Sequence, residues 1–511
     1  MPEHAGQSAL GQAPVVKTCK GAVQGLWRGR SAAFLGVPFA TPPVGEHRFT
    51  PPVEHPRWDG VRPATAYGAT PQRRPFGELT AIPEPSIPGE STLNVNVFTP
   101  APGDRDARLP VFVWIHGGGY FAGSPASPWY DGRSFNRDGV VTVTLSYRLG
   151  FDGFGWIDGA GLNRGLLDQI AALEWVQRNI AEFGGDPDKV TVGGQSAGGG
   201  SVQALLIAPR ARGLFRGVIS QSGNLGNLTA DDVVPVALAF AQSLGIEPTV
   251  EGWRGVDEQR LLDHEREFSS VEGMFAAMAA DPDVPVLLAQ ARKGAPAGNG
   301  LKWVPVVDGD VLPGSLERLL SQGAGAGIPV LAGNTRNEFA FPSAPLELDA
   351  VAAQLRAGGI SAAAAGIWLD EVAATGEAYA RGQLLTCTGF RADTVRLAAA
   401  RERAGDGERT WLYDFAGRSA LSGASQHCLE LPFTWDLLDA EGVDAVLGAA
   451  PSQALADAVH ADWVRFIRDG VADWEPVSAS LTGARRYQAD GYTDDPADYL
   501  FEAEAAGVLA G

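Results

Sequence analysis

The sequence predicts an α/β fold, a large and mostly parallel central sheet flanked by helices. Three observations carry that prediction. Short apolar runs rich in β-branched residues recur at 111–115 (VFVWI), 140–145 (VVTVTL) and 189–192 (KVTV), and near-continuous apolar character is how strands buried on both faces read. A stretch of helical periodicity lies between the second and third runs. The third run passes through a glycine-rich turn into a second helical stretch, and strand, helix, strand, turn and helix in that order mean parallel crossover units on an open sheet.

Taken in order, residues 1–60 are rich in Gly, Pro and short apolar runs, which suggests small strands and loops. A helix is expected over 165–183, where Leu166, Ile170, Leu173, Val176, Ile180 and Phe183 keep a 3.6-residue period. Asn163 is placed to cap its start, and Gly184 and Gly185 stop it. The strand at 189–192 leads into a turn and a helix from about 199 to 207. Segments 225–300 and 340–405 are Ala-rich and helical in character. They read as insertions or caps on one domain spanning 1–511. Buried-strand signals return at 329–332 (PVLA) and 411–415 (WLYDF), and 451–468 reads as an amphipathic helix with Leu455, Val459, Trp463, Phe466 and Ile467 on one side.

The 511 residues exceed the roughly 250–300 at which a single core usually stops growing, so two domains or one sheet domain with insertions are expected. Hydrophobic residues at 45% and charged residues at 20% predict a packed core. The formal net charge of −20 argues against nucleic acid and acidic membrane surfaces, which need basic patches. Cys19, Cys387 and Cys428 form no CxxC pair, so neither a zinc site nor a disulfide framework is indicated, and reduced thiols in a cytoplasmic protein are expected. No basic and then apolar leader opens the sequence, and no run of 18 apolar residues predicts a membrane span.

Gly194-Gln-Ser196-Ala-Gly198 matches G-x-S-x-G, weak alone in a chain with 65 glycines. Its context is specific, because a strand ends at Val192 and a helix begins just beyond the motif. Such a turn holds the Ser196 hydroxyl at the head of a helix, where amide dipoles favour developing negative charge. A passive serine in a glycine-rich turn is the competing reading. His116-Gly-Gly-Gly119 directly follows the 111–115 strand. Glycines there would let backbone N–H groups approach an oxyanion, with Gly118, Gly119 and Ala197 as the donors and His116 in a structural role.

A nucleophilic serine of this kind needs a histidine base and an acid, in the chain order Ser, acid, His. Of seven histidines, His264, His427 and His460 follow Ser196. His264 lies in a charged helical run, and His460 in the amphipathic helix. His427 lies in a loop beyond the 411–415 strand, where a catalytic histidine must sit. Glu338, in the loop beyond 329–332, is the preferred acid; Asp308 and Asp310 are rivals upstream of that strand.

The ordered blocks 34–49 (FLGVPFATPPVGEHRF), 93–100 (LNVNVFTP), 114–119 (WIHGGG), 146–150 (SYRLG), 167–175 (LDQIAALEW), 183–187 (FGGDP) and 195–198 (QSAG) resemble the type-B carboxylesterases. The resemblance implies an α/β-hydrolase fold and cleavage of a small-molecule carboxylic ester through an acyl-enzyme. It places Ser196, Glu338 and His427 in the triad and Gly118, Gly119 and Ala197 in the oxyanion hole, with no metal or organic cofactor. A monomer or homodimer is expected. Three departures stand out. Gln195 replaces the acidic residue usual before the nucleophile, Asn337-Glu-Phe339 replaces Asp-Glu-Gly, and the cysteine pair of secreted members is absent. A carbamate, amide or lactone hydrolase with the same triad is the alternative, and residues 426–434 (QHCLELPFT) resemble bacterial enzymes that cleave aryl carbamates. A non-catalytic binding protein, as in adhesion relatives of this fold, would be expected to lose Ser196 or His427.

Overall fold

The computed structural model describes residues 12–71, 82–268, 281–294 and 301–509. In chain order its strands are β1 (Val15–Lys17), β2 (Ala22–Gln24), β3 (Leu26–Arg28), β4 (Ser31–Pro38), β5 (Val61–Pro63), β6 (Asn94–Thr99) and β7 (Leu109–Ile115). They continue with β8 (Val141–Leu145), β9 (Gly185–Gln195), β10 (Gly217–Gln221), β11 (Val330–Thr335), β12 (Thr410–Phe415), β13 (Ala484–Gln488) and β14 (Gly491–Asp495). Strands β1, β2 and β5 form a small sheet.

The other 11 strands form one sheet in the order β14-β13-β12-β11-β10-β9-β7-β8-β6-β4-β3. The run from β13 to β8 is parallel, and antiparallel pairs close both edges. The chain steps outward from β7 to β8, then returns to lay β9 on the other side of β7. In open α/β sheets the crevice beyond the carboxyl ends of strands at such a reversal is where ligands bind. Here the reversal brings the ends of β7 and β9 together, with Ile115 in register with Gly194.

The alternation of β7 explains its continuous apolar sequence. Val111, Val113 and Ile115 join the core on one face of the sheet, with Leu166, Leu173 and Val176 of helix Arg164–Asn179. Phe112 and Trp114 point to the other face, against Leu455, Val459, Trp463 and Phe466 of helix Gln453–Asp469. Burying each such side chain stabilises the fold by about 1.5–3 kcal/mol. Ser452 caps the second helix by accepting from the Leu455 N–H at 3.2 Å, and left-handed Gly470 ends it.

Two expectations change in detail. The first helix stops at Asn179 and continues to Phe183 as a tighter turn that Gly184 ends at φ 83°. Asn163 does not cap it. Asn163 is left-handed at φ 57°, and its amide donates to the Val306 carbonyl and the Asp308 carboxylate, both at 2.8 Å. Partners distant in sequence have outcompeted the local cap. The described parts of 225–300 hold helices Ala230–Leu244, Val250–Arg254, Glu258–Phe268 and Val284–Lys293. Segment 340–405 holds Leu348–Ala357, Ala362–Thr375, Ala380–Thr386 and Ala392–Arg403, with a π-helical turn at Cys387–Arg391. Such turns are frequent at functional sites.

Candidate active site

Ser196 sits between the end of β9 and helix Ala197–Ile207 at φ 57°, ψ −120°, a region a side chain occupies only under constraint. The constraint is visible. The Ser196 N–H donates to the Gln221 carbonyl at 2.8 Å, and its carbonyl accepts from Gly200 N–H at 2.8 Å. A Cβ on Gly198 would lie 2.0 Å from the Ile115 carbonyl oxygen, so only glycine lets the helix approach β7 this closely. The hydroxyl stands at the start of an 11-residue helix, whose N-terminal amides favour negative charge.

The loop after β7 folds against this turn. A Cβ on Gly117 would meet the Gln195 carbonyl oxygen at 2.7 Å and Ser196 Cβ at 3.1 Å. Gly118 and Gly119 adopt φ 108° and 60°. The Gly118 carbonyl accepts from Ala122 N–H at 2.8 Å, fixing the turn. Among the described residues, the N–H groups of Gly118, Gly119 and Ala197 donate to no other backbone group. His116 serves the loop from below. Burial pushes its imidazole down to about 4, so it is neutral and its Nδ1–H donates to the Gly117 carbonyl at 2.8 Å. Its ring stacks on Tyr147 at 4.7 Å.

His427 and Glu338 meet across 89 positions of sequence, with Nδ1 and Oε2 2.5 Å apart. The second carboxylate oxygen of Glu338 accepts from Asn334 Nδ2 at 3.1 Å and Thr335 N–H at 3.0 Å, and the two loops are tied by His427 N–H to the Glu338 carbonyl at 2.9 Å. Burial alone would push the Glu338 carboxyl up. The charge and hydrogen bond of His427, with the amide of Asn334, outweigh it and hold the group below the usual glutamate range. Burial would likewise push His427 down; the Cys428 thiol and the Glu338 carboxylate act against it, and the imidazole stands well above the ordinary histidine range. Burial raises the Cys428 thiol itself, so it stays neutral and Glu338 supplies the opposing charge.

Both residues of the Asn337–Phe339 departure noted in the sequence have partners here. Asn337 accepts from Ser425 N–H and donates through Nδ2 to Glu371 and Gln383, each at 2.8 Å. An aspartate could accept but not donate. Phe339 stacks on the His427 ring at 4.8 Å and 28°. Phe390, carried by the π-helical turn, meets the same ring edge-on at 5.7 Å.

The rival groups lie elsewhere. Asp308 accepts from Asn163 and from the N–H groups of Asp310 and Leu312, and Asp310 pairs with Arg210 at the surface. His264 faces the Arg260 carbonyl on its own helix, and His460 bonds the Thr434 carbonyl and Asp138. Tyr120 and Trp129 are core residues.

Sequence reasoning missed a buried polar cluster beneath the site. Gln221 donates to Glu430 at 3.2 Å and accepts from Trp463 Nε1 at 3.0 Å. Burial, reinforced by the charge of Glu338, pushes the Glu430 carboxyl up to about 7. The one available signal was Glu430 lying three residues beyond His427. A pocket opens over Ser196, lined by Ile82, Glu84, Gly118, Ser124, Tyr130 and Cys428. Among the described residues no group of three or more His, Cys, Asp or Glu is placed to hold a metal, and no helix is long and apolar enough to cross a membrane.

A constrained serine and a glycine loop at a sheet reversal, with a histidine–glutamate pair on the same rim, define a hydrolase of the α/β-hydrolase class. The model of the carboxylesterase family matches residues 12–358. The chain is 33% identical over 487 residues to the para-nitrobenzyl esterase of Bacillus subtilis, covering 91% of each protein. It is 36% identical over 349 residues to carboxylesterase 1D of Mus musculus, covering 64% of this chain and 59% of that one. Among solved structures, a thermophilic para-nitrobenzyl esterase superposes with a TM-score of 0.77 at 30% identity, covering 97% of this chain and all of the other. The Geobacillus stearothermophilus carboxylesterase EST55 gives 0.76 at 29%, covering 96% and 99%. The chain belongs to the carboxylesterase family, and it is a carboxylic-ester hydrolase.

Proposed function

We propose that the hydrolysis runs through a Ser196–His427–Glu338 triad and an acyl-enzyme. The observation that carries this reading is the 2.5 Å Glu338–His427 contact on the sheet rim that also bears Ser196. Glu338 keeps the proton on His427 Nδ1, so Nε2 can take the Ser196 proton as Oγ attacks the ester carbonyl. The developing oxyanion is received by the Gly118, Gly119 and Ala197 N–H groups. His427 returns the proton to the departing alcohol, then activates water to cleave the acyl-enzyme. No metal or organic cofactor enters this scheme. The substrate is a small ester, with the alternatives of a carbamate, amide or lactone set by pocket shape. Residues 1–511 act as one catalytic domain, as monomer or homodimer, with 225–300 and 340–405 as inserted segments. Three free thiols support a cytoplasmic setting.

The test is a panel of p-nitrophenyl esters of rising acyl length, an aryl carbamate and an anilide, together with labelling by a fluorophosphonate. Ser196→Ala is expected to abolish both turnover and labelling. Turnover that survives this substitution overturns the scheme.

A further inference from the structure

The triad reading leaves one atom accounted for in an unusual way. With its Nδ1 proton directed at Glu338, neutral His427 presents a lone pair at Nε2, the position that must receive the Ser196 proton. In this structure that nitrogen lies 3.3 Å from Nε2 of Gln195. A carboxamide nitrogen donates and an unprotonated imidazole nitrogen accepts, so wherever His427 is neutral the pair is a hydrogen bond from Gln195 to the ring. The described residues show no hydrogen bond between the Ser196 hydroxyl and His427.

The Gln195 side chain is held there by packing. The residue is fully buried, and its Oε1 is buried without a hydrogen-bond partner among the described residues. A Cβ on Gly117 would come within 2.9 Å of that oxygen, so the glycine loop lies directly over the carboxamide. Gln195 and Ser196 line the same pocket. One end of the amide is therefore bonded to the base, and the other is left unsatisfied against the loop that would receive the oxyanion.

We propose, resting on the triad reading above, that Gln195 is a positioning residue that holds the free enzyme in a resting state, its carboxamide competing with Ser196 for His427 Nε2 until ester occupies the pocket. Among the described residues, the charged and titratable groups acting on His427 are Glu338, from the loop after β11, Cys428 on its own loop, and Glu430 at the start of helix Leu431–Thr434, and Glu84 lines the same pocket. Gln195 adds no charge to that set. It acts by binding the neutral imidazole, which draws on the form of His427 that serine needs. The acidic residue usual at this position in the family cannot donate in this way when ionised.

The test uses the full chain. Gln195→Met keeps the length and removes the donor, and Gln195→Glu keeps the shape and replaces the donor with an anion. Acylation is read as the second-order rate of fluorophosphonate inactivation and as the burst with a p-nitrophenyl ester, each across pH. For Gln195→Met the plateau acylation rate is expected to rise about three- to tenfold, the worth of one ordinary hydrogen bond. For Gln195→Glu the acid limb is expected to move to higher pH, because an anion beside the imidazole favours its protonated form. A plateau that is unchanged or lower in Gln195→Met overturns the proposal, and so does an unmoved acid limb in Gln195→Glu. A purely structural role would lower the rate without moving the limb. Failure here, with Ser196→Ala still abolishing labelling, removes the resting state alone. Labelling that persists in Ser196→Ala removes the triad reading itself.

Discussion

Replacing Glu338 with glutamine isolates what its charge contributes, because the substitution keeps nearly every other contact. The glutamine oxygen can still accept from Asn334 Nδ2 and Thr335 N–H, which hold Oε1 at 3.1 and 3.0 Å. With the oxygen so engaged, the amide nitrogen must face His427 Nδ1, where Oε2 stood at 2.5 Å. An N–H facing Nδ1 demands that Nδ1 accept, so the neutral ring carries its proton on Nε2. That tautomer cannot take a proton from Ser196. The imidazolium formed during attack also loses its anionic partner. Both effects fall on the transition state, and the expected loss in kcat is about a thousand- to ten-thousand-fold, or about 4–5.5 kcal/mol. The assay is p-nitrophenyl ester hydrolysis across pH, with a thermal melt to confirm that the fold persists. Removal of the anion also predicts that the acid limb of any residual activity moves to lower pH, since Glu338 is one of the groups that hold His427 above its ordinary range. A loss below tenfold, or an acid limb that stays in place, would refute the assignment of Glu338 as the orienting acid.

Two further predictions concern the layer beneath the site. Glu430 is 1% exposed, and its carboxyl is pushed from 4.5 to about 7. An acid raised on folding loses its stabilising contribution as pH climbs through that interval, so Glu430→Gln should gain on the wild type by about 2–4 kcal/mol between pH 4.5 and pH 8. Denaturant unfolding at both pH values measures it, and a difference independent of pH counts against the shift. Trp463 is fully buried, meets Tyr413 edge-on at 4.9 Å and donates to Gln221 Oε1 at 3.0 Å. Trp463→Ala should cost about 3–5 kcal/mol through the cavity and the stranded acceptor, and a loss under about 1 kcal/mol in equilibrium unfolding would contradict that packing.

What the sequence made legible was local. The strands at 111–115 and 140–145 announce themselves because a strand covered on both faces has no polar alternation to obscure it. The serine turn and the His116–Gly119 loop are contiguous motifs whose glycines answer to contacts within a few residues of a strand end. The edge pair β13–β14 carries no apolar run that would mark it, because Arg485, Arg486, Asp494 and Asp495 fall within it. Their charges are instead matched across the pair and beyond it, with Arg485 on Asp494 and Asp462, and Arg486 on Asp495 and Asp498. Asn163 read as a cap because the partners that claim it lie 143 and 145 residues away. Gln195 and His427, 232 positions apart, give no sequence pattern at all; the parallel run from β9 through β10 and β11 to β12 puts the loops beyond these strands on one rim and brings the two residues within reach.

The residues at positions 195, 337 and 339, where the sequence departs from the family pattern, converge on one ring. Phe339 covers a face of His427, Asn337 ties the loop of Glu338 to that of His427 through Ser425, and Gln195 meets the ring at Nε2. Two of them, Gln195 and Asn337, put a neutral amide where an acid is usual. A second anion near an imidazole raises its affinity for a proton, while an aromatic face excludes water without adding charge. Glu338 is thereby left as the ionised partner in direct contact with the His427 ring, and Glu430, raised to about 7, is the neighbouring acid whose ionisation can still change around neutral pH. The pH response of this enzyme should therefore track two groups, Glu430 near neutrality and His427, which is held well above the ordinary histidine range. Titrating Gln195→Glu beside the wild type separates them, because the new anion sits against His427 directly and displaces the acid limb by more than it displaces the step near neutrality.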